Sequence, residues 1–383
     1  MKNRLCFIVS APATATAFLN EHIDYLSTNF DITVACKFDG SESLISQRAH
    51  LQDIRIHREI SLFADLKALV SLFRFLRRER FQIVHSVTPK AGLIAAIAGY
   101  LARVPVRIHW FTGQVWALKS GFPRKTLKTI DRLIASLDSF VLVDSPSQFD
   151  FLLAEKVIDS SRSYVLGCGS ISGVNSDRFR PSAETKKQIR TELGVVNPDA
   201  IIILFVGRLK RDKGIDALLK AFAQLELPGG SILLLVGADE ENYIPRIQGL
   251  IGDRSASVKH IPHTSSPEKY MASADIYTLP SLREGFGLSI IEASACSLPI
   301  VASKIYGVSD AVSSDITGIL VEPNNPDQIA EALKRLAIQP STRSQMGLQG
   351  RTYVKEKFDS KELNRLLSEF YEQSIQRLDV HDV

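Results

Sequence analysis

No two cysteines of this chain lie close together in sequence. Cys6, Cys36, Cys168 and Cys296 are scattered with no C-x-x-C pair. That pattern excludes a thiolate metal site and a disulfide frame, and fits four separate thiols in a reducing compartment. Long apolar runs are also missing. The longest, Ala91–Ala102, has twelve residues, well short of the roughly 20 that span a bilayer. No signal-peptide pattern is present, since Met1-Lys2-Asn3-Arg4 runs directly into a strand-like segment. A cytoplasmic protein without a membrane-spanning segment is therefore expected. Zinc-ligand spacings, RNA-binding signatures and basic tracts interleaved with aromatics are absent too, so nucleic acid is not an expected partner.

What is present is an ordinary globular composition, 45% hydrophobic and 23% charged over 383 residues. That length allows two domains, each with its own core. The net charge of +4 is unevenly placed: residues 1–180 carry 23 Lys+Arg against 16 Asp+Glu. A basic first half points to an anionic partner for that half, either a membrane surface or a phosphate-bearing acceptor.

Strand-like and helix-like segments alternate throughout, which predicts α/β layers around parallel sheets. Leu5–Val9 and Ile32–Cys36 read as buried strands. Residues 61–80 read as an amphipathic helix, with Leu62, Leu66, Leu69, Phe73 and Leu76 on the apolar face. Lys67, Arg74, Arg77, Arg78 and Arg80 lie on the other face; a solvated face and contact with anionic lipid headgroups both fit. The strand Ile83–Val87 leads into Thr88-Pro89-Lys90, a helix start with Thr88 as N-cap and Lys90 in the first turn, where a phosphate could be held. Val106–Phe111 ends in Thr112-Gly113-Gln114, a polar strand end suited to a ligand crevice. Residues 119–128 form a second basic patch around Phe122, which suits either solvent or lipid. The run Gly167-Cys168-Gly169-Ser170-Ile171-Ser172-Gly173, with the polar residues that follow to position 180, marks a domain boundary.

The second half carries the two most informative stretches. Strand 200–206 opens into Gly207-Arg208-Leu209-Lys210-Arg211-Asp212-Lys213-Gly214, a loop with four cations in six positions. Further on, the run Leu279–Ile300 passes from a strand through Glu284-Gly285-Phe286-Gly287 into a helix from about Leu288, with Glu292 on that helix. A helix start softened by glycines offers backbone N–H groups to a phosphate. Glu292 stands roughly 7–8 Å along the helix, about the span from a diphosphate to a ribose. Cations at 208–213 opposite that helix start would clamp a diphosphate from two sides.

In this order the segments G-R-L-x-x-D-K-G at 207–214, P-S-x-R-E-G-F-G-L-x-x-x-E-A at 280–293, Leu298–Ala302, Tyr306-Gly307 and T-G-I-L-V at 317–321 resemble retaining glycosyltransferases of family 4. The resemblance covers nearly the whole chain. T-P-K-A-G at 88–92 and F-T-G-Q-V-W at 111–116 look like the bacterial capsule and O-antigen branch. The fold implied is α/β, GT-B: two Rossmann-like doubly wound parallel-sheet domains facing a central cleft. Residues 1–180 would form the acceptor-binding domain and residues 181–359 the nucleotide-sugar domain, with a C-terminal helix at about 360–383 packing back on the first.

The activity implied is transfer of a sugar, from a UDP-sugar, to a lipid-diphosphate-linked or growing glycan acceptor at the inner face of the cytoplasmic membrane. Carried over residue by residue, Arg208 and Lys213 would bind the diphosphate and Glu284 the sugar hydroxyls. Backbone groups of Gly207 and of Gly285, Phe286, Gly287 and Leu288 would border the donor, and Glu292 would hold the ribose. Lys90, Thr112 and Gly113 would lie on the acceptor side. No metal and no cofactor are implied, which fits the absence of an Asp-x-Asp pair. Thr112-Gly113 stands where many members have His-Gly, leaving Thr112, His109 or another group to face the donor sugar. The loop Ser10–Thr14 lacks the paired glycines common there. A UDP-sugar 2-epimerase of the same fold and a non-catalytic sugar-nucleotide binding protein are the alternatives. An epimerase would act without acceptor.

Overall fold

The computed structural model describes residues 2–57, 59 and 61–379. In chain order it runs β1 (Asn3–Ile8), α1 (Pro12–Phe18), α2 (Asn20–Leu26), β2 (Phe30–Cys36), β3 (His50–Asp53), α3 (Leu62–Glu79), β4 (Ile83–Val87), α4 (Pro89–Ala102), β5 (Val106–Phe111), α5 (Gly121–Leu137), β6 (Phe140–Val143), α6 (Pro146–Ala154) and β7 (Ser163–Tyr164). It continues with α7 (Ala183–Glu192), β8 (Ile201–Val206), α8 (Ile215–Gln224), β9 (Ser231–Val236), α9 (Ile247–Ile251), β10 (Val258–Ile261), α10 (Pro267–Ser273), β11 (Ile276–Leu279), α11 (Leu288–Ala295), β12 (Ile300–Ser303), α12 (Val308–Ala311), β13 (Gly318–Val321), α13 (Pro326–Ile338), α14 (Pro340–Lys357) and α15 (Ser360–Asp379).

The chain divides into two compact units, Met1–Ser172 with Ser360–Val383, and Gly173–Asp359. The first unit holds seven parallel strands in the order β3-β2-β1-β4-β5-β6-β7. Alternate residues of β1 feed opposite faces, as a period of two requires. Leu5 and Phe7 pack with Ile23, Leu367 and Tyr371 of α2 and α15, whereas Cys6 and Ile8 pack with Ala68, Leu72, Ala91 and Ala95 of α3 and α4. The second unit holds six parallel strands in the order β10-β9-β8-β11-β12-β13 around one core. Its central strands β8 and β9, IIILFV and SILLLV, are covered on both faces and so lack polar alternation. Several helix starts follow from local chemistry. Ser145 caps Gln148 N–H ahead of Pro146, and Asn325 caps Gln328 N–H ahead of Pro326.

Helix α15 follows the second unit in sequence and is packed as part of the first. His22 reaches the Asn364 side chain and the Ile171 carbonyl, and His85 Nδ1 lies 2.5 Å from Tyr371 Oη.

Three local expectations change. The boundary lies at 172/173 rather than at 180, because Val174 N–H donates to Phe358 O and Phe179 joins the second unit's core. The buried seam of α3 is Ala68, Leu72, Phe75 and Leu76, while Leu62 and Leu66 are exposed; the small residues of α4 draw Ala68 and Leu72 inward. Thr88 precedes α4 but does not cap it through its side chain. Its backbone sits at φ 77°, strained for a β-branched residue.

Asp138 closes α5 with its carboxyl fully buried, and Oδ2 has no hydrogen-bond partner among the described residues. Burial pushes its pKa up to about 8, against the opposing charges of Arg107 and Arg162. An unfolded aspartate titrates near 4, so between about pH 4 and pH 8 the folded state binds more protons and stability falls as pH rises. Asp138→Asn removes that dependence. Its gain in thermal midpoint over the parent is expected to be larger at pH 8 than at pH 5, measured by calorimetric scans at both.

Candidate active site

In open parallel sheets ligands bind beyond the carboxyl ends of the strands, where the strand order reverses. In the second unit that reversal lies between β8 and β11. The loops leaving those strands, 207–214 and 280–287, are the two motifs that the sequence sets apart, and the fold brings them side by side.

They are joined by several bonds. Leu282 N–H donates to Asp212 O at 2.9 Å, Arg283 Nη2 pairs with Asp212 Oδ2 at 2.8 Å, and Lys213 Nζ lies 2.5 Å from Glu284 Oε1. Ser281 Oγ donates to the same Glu284 oxygen at 2.8 Å. Gly214 makes the approach possible: it starts α8 at φ 74°, and a Cβ there would stand 1.9 Å from Pro280 O. The Asp212 carboxyl is pushed up by burial. Its Arg283 hydrogen bond, with the charges of Arg283, Lys213 and Lys210, outweighs that and holds it below the usual carboxylate range.

Helix α11 begins at Leu288 after Gly287, which has φ 85° and offers no side-chain cap. Tyr277 within β11 ties this start down. Its hydroxyl bonds Ser289 Oγ at 2.7 Å and Val206 O at 3.3 Å, and burial raises its pKa far above that of a free phenol. Glu292 lies on the same helix, half-buried and close enough to raise the Tyr277 and Cys296 pKa values by its charge. Phe286 differs from its neighbours: its ring is buried 5.0 Å from that of Phe358, so only its backbone can border a ligand. Arg208, half-exposed after Gly207, pairs with Glu240 at 3.1 Å, and Lys210 approaches the same carboxylate at 3.5 Å. Glu240 and Ser281 are members of this network that sequence reasoning did not assign. Their available signals were a carboxylate just past strand β9 and a hydroxyl three residues before Glu284.

In the first unit the reversal falls between β1 and β4, where Ser10 Oγ and Thr88 Oγ1 face each other at 3.4 Å. Thr112 and Gly113 follow β5 one strand away. Gln114 turns inward and accepts from Gln148 Nε2 at 3.1 Å. His109 is fully buried against Gly92, with Nδ1 2.8 Å from Ser86 Oγ; burial lowers its pKa to about 3. It is thus a neutral core residue, and of the two residues considered for the sugar-facing position only Thr112 lies at a strand end. Lys90 also differs from its expected place as a phosphate ligand. It pairs with Asp65 at 2.7 Å and reaches the Glu59 carbonyl, tying the first turn of α4 to that of α3.

Residues 186–353 match the family described as Glycosyl transferases group 1, and residues 30–169 match the Glycosyl transferase 4-like domain. A capsular polysaccharide biosynthesis glycosyltransferase, CapM of Staphylococcus aureus, is 29% identical over 98% of this chain and 99% of its own length. The UDP-Gal:alpha-D-GlcNAc-diphosphoundecaprenol alpha-1,3-galactosyltransferase of Escherichia coli is 26% identical over 80% of each chain. Among solved structures, Anabaena HepE in complex with UDP-glucose superposes with a TM-score of 0.82 at 20% identity, covering 97% of this chain and 99% of that one. Two parallel-sheet units of this topology, matched in fold along nearly their whole length and by the two family domains in turn, identify the chain as a member of the GT-B glycosyltransferases, with a glycosyl transferase 4-like domain followed by a group 1 domain.

Proposed function

We propose that this enzyme moves a sugar from a UDP-sugar, with retention of anomeric configuration, to a lipid-diphosphate-linked or growing glycan acceptor in bacterial surface polysaccharide synthesis. The observation that carries the reading is the Lys213–Glu284 pair at the strand-order reversal of the second sheet, beside the uncapped start of α11. The names of the relatives support the substrate classes: one acts in capsule synthesis, and another takes UDP-galactose and a diphosphoundecaprenol acceptor.

In this reading Lys213 and Arg208 hold the donor diphosphate, the first amides of α11 and the backbone at 285–287 border sugar and phosphate, and Glu292 takes the ribose hydroxyls. Glu284, held by Lys213 and Ser281, presents its second oxygen to sugar hydroxyls. As the bond from the anomeric carbon to the diphosphate oxygen breaks, charge grows on the diphosphate, and the two cations and the helix start offset it. The acceptor oxygen bonds to the anomeric carbon on the face being vacated and gives its proton to the departing phosphate oxygen. No protein nucleophile and no metal enter these steps. Thr112, Gly113 and Lys90 lie on the acceptor side; Lys90 acts there through α3 unless its pair with Asp65 opens. The reaction takes place at the inner face of the cytoplasmic membrane.

Incubating the purified chain with candidate UDP-sugars and a synthetic lipid-diphosphate acceptor should give an extended lipid by mass spectrometry. The new linkage should have the anomeric form of the donor by NMR. Epimerised UDP-sugar in place of any extended acceptor would overturn the transferase chemistry assigned to this site.

Lys213→Ala removes a charge-assisted bond and leaves Glu284 without its cation. Titration calorimetry should show UDP affinity weakened about 10- to 100-fold, in line with the worth of such bonds, and Glu292→Ala should weaken it about tenfold. Unchanged affinity in both would remove the proposed donor site. Gly214→Ala is expected to destabilise the second unit by more than about 2 kcal/mol, through strain and the clash with Pro280, read as a lowered denaturation midpoint.

A further inference from the structure

Strands β8 and β9 stay paired beyond their ends. Leu209 N–H donates to Ala238 O at 2.8 Å, and Glu240 N–H donates back to Leu209 O at 3.3 Å. The loops that leave the two strands therefore run side by side through Leu209 and Asp239. Gly237 permits this, since a Cβ there would stand 2.0 Å from Gly207 O. The far side of the turn is fixed as well. Asp239 accepts from the N–H groups of Tyr243 and Ile244 at 2.9 and 2.8 Å, and the Tyr243 hydroxyl donates to Asp216 Oδ2 of α8 at 2.9 Å. Glu240 is thus presented by a turn anchored on both sides, beside the cations of loop 207–214.

Glu240 differs from the other two carboxylates of this network. Glu284 is held by Lys213 and Ser281, and Asp212 by Arg283; both fasten loop 207–214 to loop 280–287. Glu240 instead serves two cations of one loop, Arg208 at 3.1 Å and Lys210 at 3.5 Å. Its grip on Arg208 is limited. Both of its oxygens are reached from one guanidinium nitrogen, Nη1, at 3.3 and 3.1 Å, and the Arg208 and Glu240 side chains are 42% and 27% exposed. An ion pair this exposed is weak. A diphosphate offers the guanidinium two-nitrogen, charge-assisted bonds and more than one negative charge, which makes it the stronger partner for Arg208. Glu240 does not become an unpaired acid when Arg208 leaves it, because Lys210 already stands at its side.

We propose that Glu240 is the resident counter-ion of Arg208, exchanged for the donor diphosphate on binding and restored when the nucleoside diphosphate leaves, with Lys210 keeping Glu240 paired in between. Glu240 touches no donor atom in this scheme and acts through Arg208. It is a positioning residue that sets how readily the site releases its spent nucleotide. The scheme rests on the assignment of Arg208 to the donor diphosphate.

Titration calorimetry on the full chain tests it. Glu240→Gln keeps the shape of the side chain and removes the competing charge. UDP should then bind about fivefold tighter, the worth of one half-exposed ion pair, chiefly through slower dissociation in stopped flow. Inhibition of transfer by UDP should strengthen by the same factor. Uridine, which carries no diphosphate, should bind parent and variant equally in NMR titrations, a split that a merely structural role of Glu240 would not produce. In an Arg208→Ala background the gain from Glu240→Gln should shrink below about twofold. Lys210→Ala should weaken UDP binding about threefold in the parent and have no effect on top of Glu240→Gln. UDP affinity unchanged or weakened by Glu240→Gln overturns the counter-ion role, and so does a gain that uridine shares. A gain that persists without Arg208 also overturns it, since Glu240 would then be a general repelling charge. Equal losses from Lys210→Ala in both backgrounds would overturn its part as the holding partner. Failure of the parent chain to bind UDP at all would instead overturn the donor-site reading, and the exchange with it.

Discussion

The contact between loops 207–214 and 280–287 is the constraint on which the candidate site depends. A backbone hydrogen bond, two ion pairs and the bare face of Gly214 against Pro280 fasten the ends of β8 and β11 together. These two strands are adjacent in the sheet although they lie about seventy residues apart in sequence, so closing that loop has an entropic cost which the buried core of the second unit must offset. The Lys213–Glu284 pair is nearly buried, with side chains 18% and 12% exposed. Removing one member leaves an uncompensated charge, which makes the pair a device for positioning as much as for stability. Glu284 is thereby fixed by two partners, Lys213 and Ser281, before any ligand arrives. Preorganised polar groups of this kind need not reorganise when charge develops beside them.

The first unit is built on the same strand–helix plan but uses it differently. Its strand-order reversal between β1 and β4 carries hydroxyls, Ser10 and Thr88, rather than charges. The ionic contacts near that edge, such as Lys90 with Asp65, brace helices instead of facing a crevice. Below it lies an aromatic and imidazole layer in which His85 stacks on Trp110 and meets Tyr371 of α15. Burial holds both His85 and His109 neutral. Polar residues packed so deeply specify one arrangement of the returning C-terminal helix, because each mispairing would strand a donor or an acceptor.

Much of this was legible in the chain. The largely apolar runs of β1, β2, β4, β5 and β8 stand where the sequence places strands, since parallel strands covered on both faces lose polar alternation. Other elements were not legible, β3 and α14 among them. Strand β3 is a polar edge strand with little apolar signal, and α14, PSTRSQMGLQGRTYVKEK, has apolar residues without a helical period. Of the face that the period of α3 predicts, Leu69, Phe73 and Leu76 pack inward while Leu62 and Leu66 are exposed, and Ala68 and Leu72 fill the seam against α4. Periodicity reports which residues share a face; which part of that face is covered depends on the neighbour.

The sequence by itself determined the layer architecture, the two glycine-bearing loops and the helix start at Gly287, because these follow from local pattern, turn chemistry and the backbone freedom of glycine. Only the tertiary structure decided partnership and exposure. Lys213 was one of four cations in a loop until the strand order set it against Glu284. His109 was a candidate for the sugar-facing position until burial against Gly92 made it a core residue. Leu62 and Phe63 belonged to a helix whose covered side was unknown until α4 took the opposite face. Such properties belong to pairs of elements distant along the chain, and no single stretch of sequence contains both members of the pair.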